Sequence, residues 1–339
     1  MKSFSKIALS LMATTLCFSV AEAKVKGKCA NCHIMHNSQD GTPINPTPVN
    51  NLLTDTCVGC HSSTTGSTIT TIGVTKIPIV WNIGASYPTQ PLAGGNFNSI
   101  AQGSVNDSHG HNVWGISAAD LVLTEAPGRA NCSGFDTGVC HASLAFPPSE
   151  ALGGTGKTGC QGCHTEVNHH KDTPAYRFLQ GHESGANYVT GIESADWEQV
   201  PGTANHNVYQ GAINPPDTGL ATTHSMSSFC AGCHTVFHET NNLSNPWLRH
   251  PTDIALPEGT TEYNNYDPVT SYDPVVPVGW LNTAAPNRSE AVVMCLSCHR
   301  AHGTEYPDIL RWDYLNNCDA GTANNNCGCF VCHSTKDAL

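Results

Sequence analysis

Apolar residues form one long continuous run in this chain, Ile7 to Val20, and elsewhere come in short pieces between Gly, Pro, Asn and Thr. That run follows Lys2 and Lys6 and precedes Ala21-Glu22-Ala23, a small-x-small cleavage site. It is too short for a comfortable bilayer span, so residues 1–23 read as a secretory signal and 24–339 as the exported protein. Leu16 is too large for Cys17 to be a lipoprotein cysteine. Beyond the signal no stretch is apolar enough for a membrane span. Residues 67–83 are β-branched and partly alternating, which predicts a strand, and Pro78 limits it to an edge or a short hairpin. Tyr176-Arg177-Phe178-Leu179 is one of few helical candidates. Segments 37–56 and 84–110 read as loops. Segment 251–288, with six prolines and Tyr-Asp-Pro-Val written twice, reads as a surface loop or linker.

Such a pattern leaves little to build a core from. Aromatics are 7% of the chain, against 31 glycines and 21 prolines. Something other than side chains must supply apolar surface. Net charge sharpens the picture by exclusion. Without Lys2, Lys6 and Glu22 the chain keeps 13 basic and 26 acidic side chains, a net of −13. That balance excludes nucleic acid and anionic lipid as partners. It suits cationic or metallic ones, and a solvated acidic surface explains it equally well.

The cysteines supply the missing element. C-x-x-C-H occurs six times, at Cys29, Cys32 and His33; Cys57, Cys60 and His61; Cys160, Cys163 and His164; Cys230, Cys233 and His234; Cys295, Cys298 and His299; and Cys329, Cys332 and His333. One copy could be a redox dithiol or half a zinc site. Six in an exported chain, each ending in histidine, point to c-type haem: two thioethers to the porphyrin and a proximal histidine on iron. Porphyrin faces would then form the core. Cys132, Cys140 and His141 form a C-x7-C-H. They are either a seventh, lengthened haem site or a disulfide beside an incidental histidine. Cys318 and Cys327 have no following histidine and are expected to form a disulfide.

Eleven histidines remain for the iron's sixth position: His36, His109, His111, His169, His170, His182, His206, His224, His238, His250 and His302. His36 and His302 follow their motifs as C-H-x-x-H and His238 as C-H-x-x-x-H. None can reach its own iron across the porphyrin plate, but each can ligate a neighbouring haem. The echo of His111-Asn-Val in His206-Asn-Val marks two more candidates upstream of haem sites. With His169, His170 and His250 these make the expected distal set, and His109, His182 and His224 the expected surplus. Met226 and Met294 offer a His/Met alternative. Bis-histidine iron is saturated and transfers electrons without binding substrate. No C-x-x-C-K motif is present. A five-coordinate haem at Cys57–His61, which has no histidine close behind it, keeps a nitrite, hydroxylamine or sulfite reductase open as an alternative.

Longer blocks carry a resemblance. Cys29-x-x-Cys-His-Ile-Met-His, Gly110-His-Asn-Val, Ala126-Pro-Gly, Ala175-Tyr-Arg-Phe-Leu, Phe229-Cys-Ala-Gly-Cys-His-Thr through Leu248-Arg-His-Pro, and Cys295-Leu-Ser-Cys-His-Arg-Ala-His302 occur in one order along the chain. Together they resemble the OmcS-like family of multihaem outer-surface cytochromes of metal-reducing bacteria. The resemblance implies one elongated, coil-dominated domain with short helices, few short strands and a continuous stacked haem chain. It implies a homopolymer in which His36 ligates the haem of Cys295 and Cys298 in the adjacent copy. It also implies an extracellular or outer-surface location, with other redox proteins or extracellular metal acceptors as partners. A monomeric periplasmic shuttle stays open beside it. Residues 132–159 and the segment carrying Cys318 and Cys327 depart from the family pattern.

Overall fold

The computed structural model describes residues 25–45, 49–123, 126–128, 143–147, 158–181, 185–213, 219–238, 250–259, 262–321 and 326–336. The signal segment with Cys17 lies outside the described residues, as does His182. So do Cys132, Cys140 and His141, the candidates for a seventh haem site. Within the described residues the fold is mostly coil, with short helices and short strands. No helix among them is long and apolar enough to cross a membrane.

The chain opens with two stacked reversals. Met35 and Ser38 exchange backbone hydrogen bonds across His36 and Asn37, both at positive φ, of 50° and 60°. Strands β1 (Ser38–Gln39) and β2 (Thr42–Pro43) then pair across Asp40-Gly41, again both at positive φ. Two consecutive left-handed residues make the mirror-image turn that fits strand twist, and Asn, Asp and Gly tolerate it best. Strand β3 (Ser62–Ser63) follows the second motif. The 67–83 segment forms an antiparallel hairpin of β4 (Ile69–Ile72) and β5 (Thr75–Pro78), and β6 (Trp81–Asn82) pairs in parallel with β3. Pro78 sits at the end of a two-stranded ladder, where its missing N–H does no harm.

The remaining strands make one mixed five-stranded sheet. These are β7 (Gly191–Ile192), β8 (Val208–Gln210), β9 (Ile254–Ala255), β10 (Gly279–Trp280) and β11 (Ala291–Val293), in the order β7-β8-β10-β11-β9. Only β8 and β10 run parallel. Gly211 and Gly279 let these strands close up, since a Cβ on Gly211 would lie 2.2 Å from Val292 Cγ2. Leu256, Tyr266, Val278, Trp280 and Ala291 pack here as one buried cluster. A second joins Tyr176, Val189, Tyr209, Met226, Met294 and Leu296, so both candidate methionines are packing residues.

Two expectations change. Segment 251–288 is not a surface linker: it supplies β9, β10 and most of a buried cluster. Its prolines sit between pieces that the Arg288 guanidinium ties down by donating to the carbonyls of Leu256, Pro257, Tyr263 and Tyr266. Residues 84–110 are the expected loop, and part of that loop is buried core. Asn82, Asn96 and Asn98 are buried there, and their side-chain amides bond one another and backbone carbonyls at Thr65, Ser67 and Ala85. Coil in a core lacks a ladder, so side-chain amides satisfy its carbonyls. Finally, Tyr176–Phe178 is no helical run, because Arg177 and Phe178 take φ of 48° and 61°.

Candidate haem-binding sites

All six C-x-x-C-H motifs fold alike. In each, the histidine N–H donates to the carbonyl of the first cysteine: His33 to Cys29 (2.8 Å), His61 to Cys57 (2.9 Å), His164 to Cys160 (2.9 Å), His234 to Cys230 (3.0 Å), His299 to Cys295 (3.1 Å) and His333 to Cys329 (2.8 Å). One helical turn puts the two thiols on one face with the histidine directly after them. Some turns are capped: Thr56 Oγ1 accepts from Gly59 N, and Ser225 Oγ from Ser228 N. The seventh candidate differs in standing. Cys132, Cys140 and His141 fall outside the described residues, so the geometry set out here is that of the six C-x-x-C-H motifs.

A second regularity fixes each imidazole. The Nδ1 of His33, His61, His164, His234 and His299 bonds a backbone carbonyl, of Asn51, Pro78, Arg177, Pro127 and Asp308 respectively, at 2.8–3.0 Å. His333 instead meets Glu262 Oε1 at 2.9 Å. Nδ1 as donor leaves the Nε2 lone pair for a metal. At three sites the acceptor belongs to one recurring clasp: Asn51-Leu52-Leu53, Arg177-Phe178-Leu179 and Asp308-Ile309-Leu310. The first two residues of each are left-handed, and the leucine bridges back to the motif histidine's backbone. Sequence reasoning missed this clasp. Its only trace is a polar residue followed by a bulky one and then leucine, and the positive φ is invisible in those letters.

Five motif histidines face a second histidine. His33 and His170 have ring centres 5.9 Å apart, His61 and His169 6.2 Å, His164 and His302 6.3 Å, His234 and His111 6.1 Å, and His333 and His250 6.1 Å. Two metal–imidazole bonds of roughly 2 Å, with each ring centre about 1 Å behind its nitrogen, separate ring centres by roughly 6 Å. The two adjacent histidines 169 and 170 serve different motifs. Loss of hydration lowers the basicity of His61, His111, His164, His250, His299 and His302, the last to about 3, which holds them as neutral, metal-binding imidazoles. Burial pushes the thiols of Cys163 and Cys298 up to about 12.

Successive motifs adjoin through their thiols. Cys60 feels Cys32, Cys57 hydrogen-bonds Cys160, Cys163 feels Cys233, Cys230 bonds Cys295, and Cys298 feels Cys329 and Cys332. The spatial order is therefore the order in sequence.

The other histidines are placed differently. Among the described residues, neither His299 nor His36 meets a facing histidine; His36 is exposed at the tip of its turn, beside exposed Met35. His206 stacks on Tyr272 at 3.9 Å, and His224 on Tyr188 at 4.3 Å. Buried His238 pairs with buried Asp253. His109 is half-buried. Cys318 and Cys327 are joined as a disulfide with Cα atoms 5.1 Å apart, beside Cys329.

Six dithiol turns, five of them with a second histidine at the spacing of two axial bonds, are the donor set of a c-type cytochrome with several haems. The residues fit that group. Residues 286–338, which hold the last two motifs, match the family described as doubled CXXCH motif. Over 92% of this chain and 86% of the relative, the sequence is 25% identical to the C-type cytochrome OmcS of Geobacter sulfurreducens. The chain also aligns with an Outer Membrane Cytochrome S filament of that organism, covering 88% of this chain and 86% of the other at 20% identity and TM-score 0.48. With the OmcS nanowires of the same organism the coverage is 90% and 88%, at 20% identity and TM-score 0.47. The motif-based resemblance to OmcS-like multihaem c-type cytochromes thus extends along most of the chain.

Proposed function

We propose that this protein is an exported electron carrier holding a line of six bis-histidine c-type haems and passing electrons to extracellular acceptors. A seventh haem on Cys132, Cys140 and His141 would join that line if the C-x7-C-H segment carries one; intact mass of the mature protein counts the haems. The observation that carries this reading is the set of five motif-histidine pairs, each spaced for one iron. Bound haem supplies an Fe(III)/Fe(II) couple that takes up and releases one electron. The chain's part is to hold and insulate. Paired histidines would hold each iron and leave no open position for substrate, the Nδ1 bonds fix ring orientation, and the adjoining motifs would bring neighbouring haems together in sequence order.

The proposed axial pairs are His33 with His170, His61 with His169, His164 with His302, His234 with His111, and His333 with His250. For His299 the partner is His36 of a neighbouring copy, which joins copies into a filament. The exposed turn that presents His36, and the lack of a facing histidine at His299 among the described residues, support this. In that reading His206 and His238 pack against Tyr272 and Asp253 rather than ligate. A reductase with an open haem at Cys57–His61 loses its motive, because His169 faces His61. The remaining candidate for an open face is His299 in an unassembled chain. Electron paramagnetic resonance of the oxidised, assembled protein, with nitrite, hydroxylamine and sulfite turnover assays, tests the choice. Low-spin haem alone and no turnover is expected; a high-spin haem with turnover contradicts it.

A further inference from the structure

We infer that Glu262 tunes the C-terminal haem site, setting the couple held by Cys329, Cys332 and His333 below that of its neighbour at Cys295, Cys298 and His299. The inference rests on the haem reading above and concerns what this chain's own side chains do at one site. Five of the six motif histidines give their Nδ1–H to a neutral backbone carbonyl, and His333 alone gives it to a carboxylate, at 2.9 Å. A carboxylate acceptor pulls the proton towards itself and makes the imidazole a stronger donor to metal, which favours the ferric state.

Glu262 is held for this role. Its carbonyl accepts from both the N–H and the hydroxyl of Ser334, the residue after the histidine, so the segment is clamped to the motif. Tyr263 packs edge-on against the His333 ring at 5.3 Å. The carboxylate is a quarter exposed, and the cation beside it, Lys336, is 4.0 Å away and mostly exposed. Solvent therefore screens that cation more than it screens the hydrogen bond.

The neighbouring site has no carboxylate on its ring nitrogen, since His299 Nδ1 donates to the Asp308 carbonyl. Arg311 is buried and donates from Nε to the carbonyls of Leu296 at 2.7 Å and His299 at 3.1 Å. Arg300, the next residue after His299, is also a guanidinium, and it donates to the backbone carbonyls of Leu92 and Ala93. Both sites carry charges of both signs, with Arg288 acting on Cys332 and Asp308 on His299; what differs is the charge on the ring nitrogen itself, a carboxylate at His333 and a neutral carbonyl at His299. One electron moves between them with no proton or other group transferred, one iron being oxidised as the other is reduced.

The site has its own spectroscopic marker. The His250 and His333 rings are nearest to perpendicular among the five pairs, at 88°, against 56° for His164 with His302, 54° for His234 with His111, and 24° and 26° for His33 with His170 and His61 with His169. Crossed axial planes give a low-spin ferric signal of larger anisotropy than parallel ones. The test is a potentiometric titration of the full haem-loaded protein followed by electron paramagnetic resonance. Glu262→Gln keeps an acceptor at the same place without its charge. The midpoint of the large-anisotropy signal should rise by about tenfold in equilibrium constant, about 59 mV for one electron, with the parallel-pair signals unmoved. Lys336→Glu, at an exposed position, should move the same midpoint down. An unmoved midpoint in both variants, or an equal shift of all signals, overturns the inference. Intact mass of each variant separates this from the underlying reading: a wild-type chain without haem on Cys329 and Cys332 defeats that reading itself.

Discussion

Each motif histidine gives one ring nitrogen to the protein and keeps the other for metal. His164 shows the division: Nδ1 donates to the Arg177 carbonyl at 2.8 Å, and the ring faces His302 at 6.3 Å. The covalent spacing of C-x-x-C-H made the six proximal histidines legible from sequence. The facing set was less so. His302, one turn past a motif, and the adjacent His169 and His170 stood out. His206, though, carries the same His-Asn-Val signature as His111 and stacks on Tyr272 instead. What separates the two is long-range packing, such as the Ala301 carbonyl that accepts from His111 across 190 residues, and no local pattern encodes it. At this scale His302→Ala should leave the haem mass unchanged while opening one iron. Reduced protein should then bind one additional carbon monoxide per chain, measured by optical titration. No added binding would remove His302 from the ligand set.

The elements are short because turn chemistry, rather than ladders, shapes the backbone. The three clasps at Asn51, Arg177 and Asp308 each place two non-glycine residues at positive φ, and each turns a carbonyl onto a motif histidine. Left-handed conformation costs roughly 1–2 kcal/mol per residue, least for Asn and Asp, so the surrounding contacts must impose it. Asp308→Val should therefore destabilise the protein by about 1–2 kcal/mol, while Asp308→Asn should be nearly neutral; thermal melts of the two variants check this. The hairpin at 67–83 was readable from β-branched alternation. Strands β9 and β10 were not, since two-residue strands among prolines carry no period and are defined by their partners. The asparagine-rich stretch around Asn96 read as loop, and composition gave no sign that its amides form a buried network. Asn96→Leu, which removes the donor to Asn82 and the acceptor for Asn98, should cost about 1–3 kcal/mol in unfolding free energy by denaturant titration.

For the whole molecule, motifs adjacent in sequence are neighbours in space, and among the described residues His36 and His299 are left without a facing histidine. Under the proposed ligation each chain borrows its last axial histidine from the next copy. His36→Ala should keep the haem mass of the monomer, abolish polymers in electron micrographs, and leave one carbon-monoxide-binding haem per chain; filaments formed by the variant would contradict it. Whether the haems stand in a line, each between two named histidines, is decided by a cryo-EM map of the haem-loaded protein. Porphyrin density is expected between His33 and His170, His61 and His169, His164 and His302, His234 and His111, and His333 and His250. A sixth porphyrin should lie between His299 and the next copy's His36. Iron with another axial residue at any of these sites, or an empty gap between any pair, would contradict the assignment.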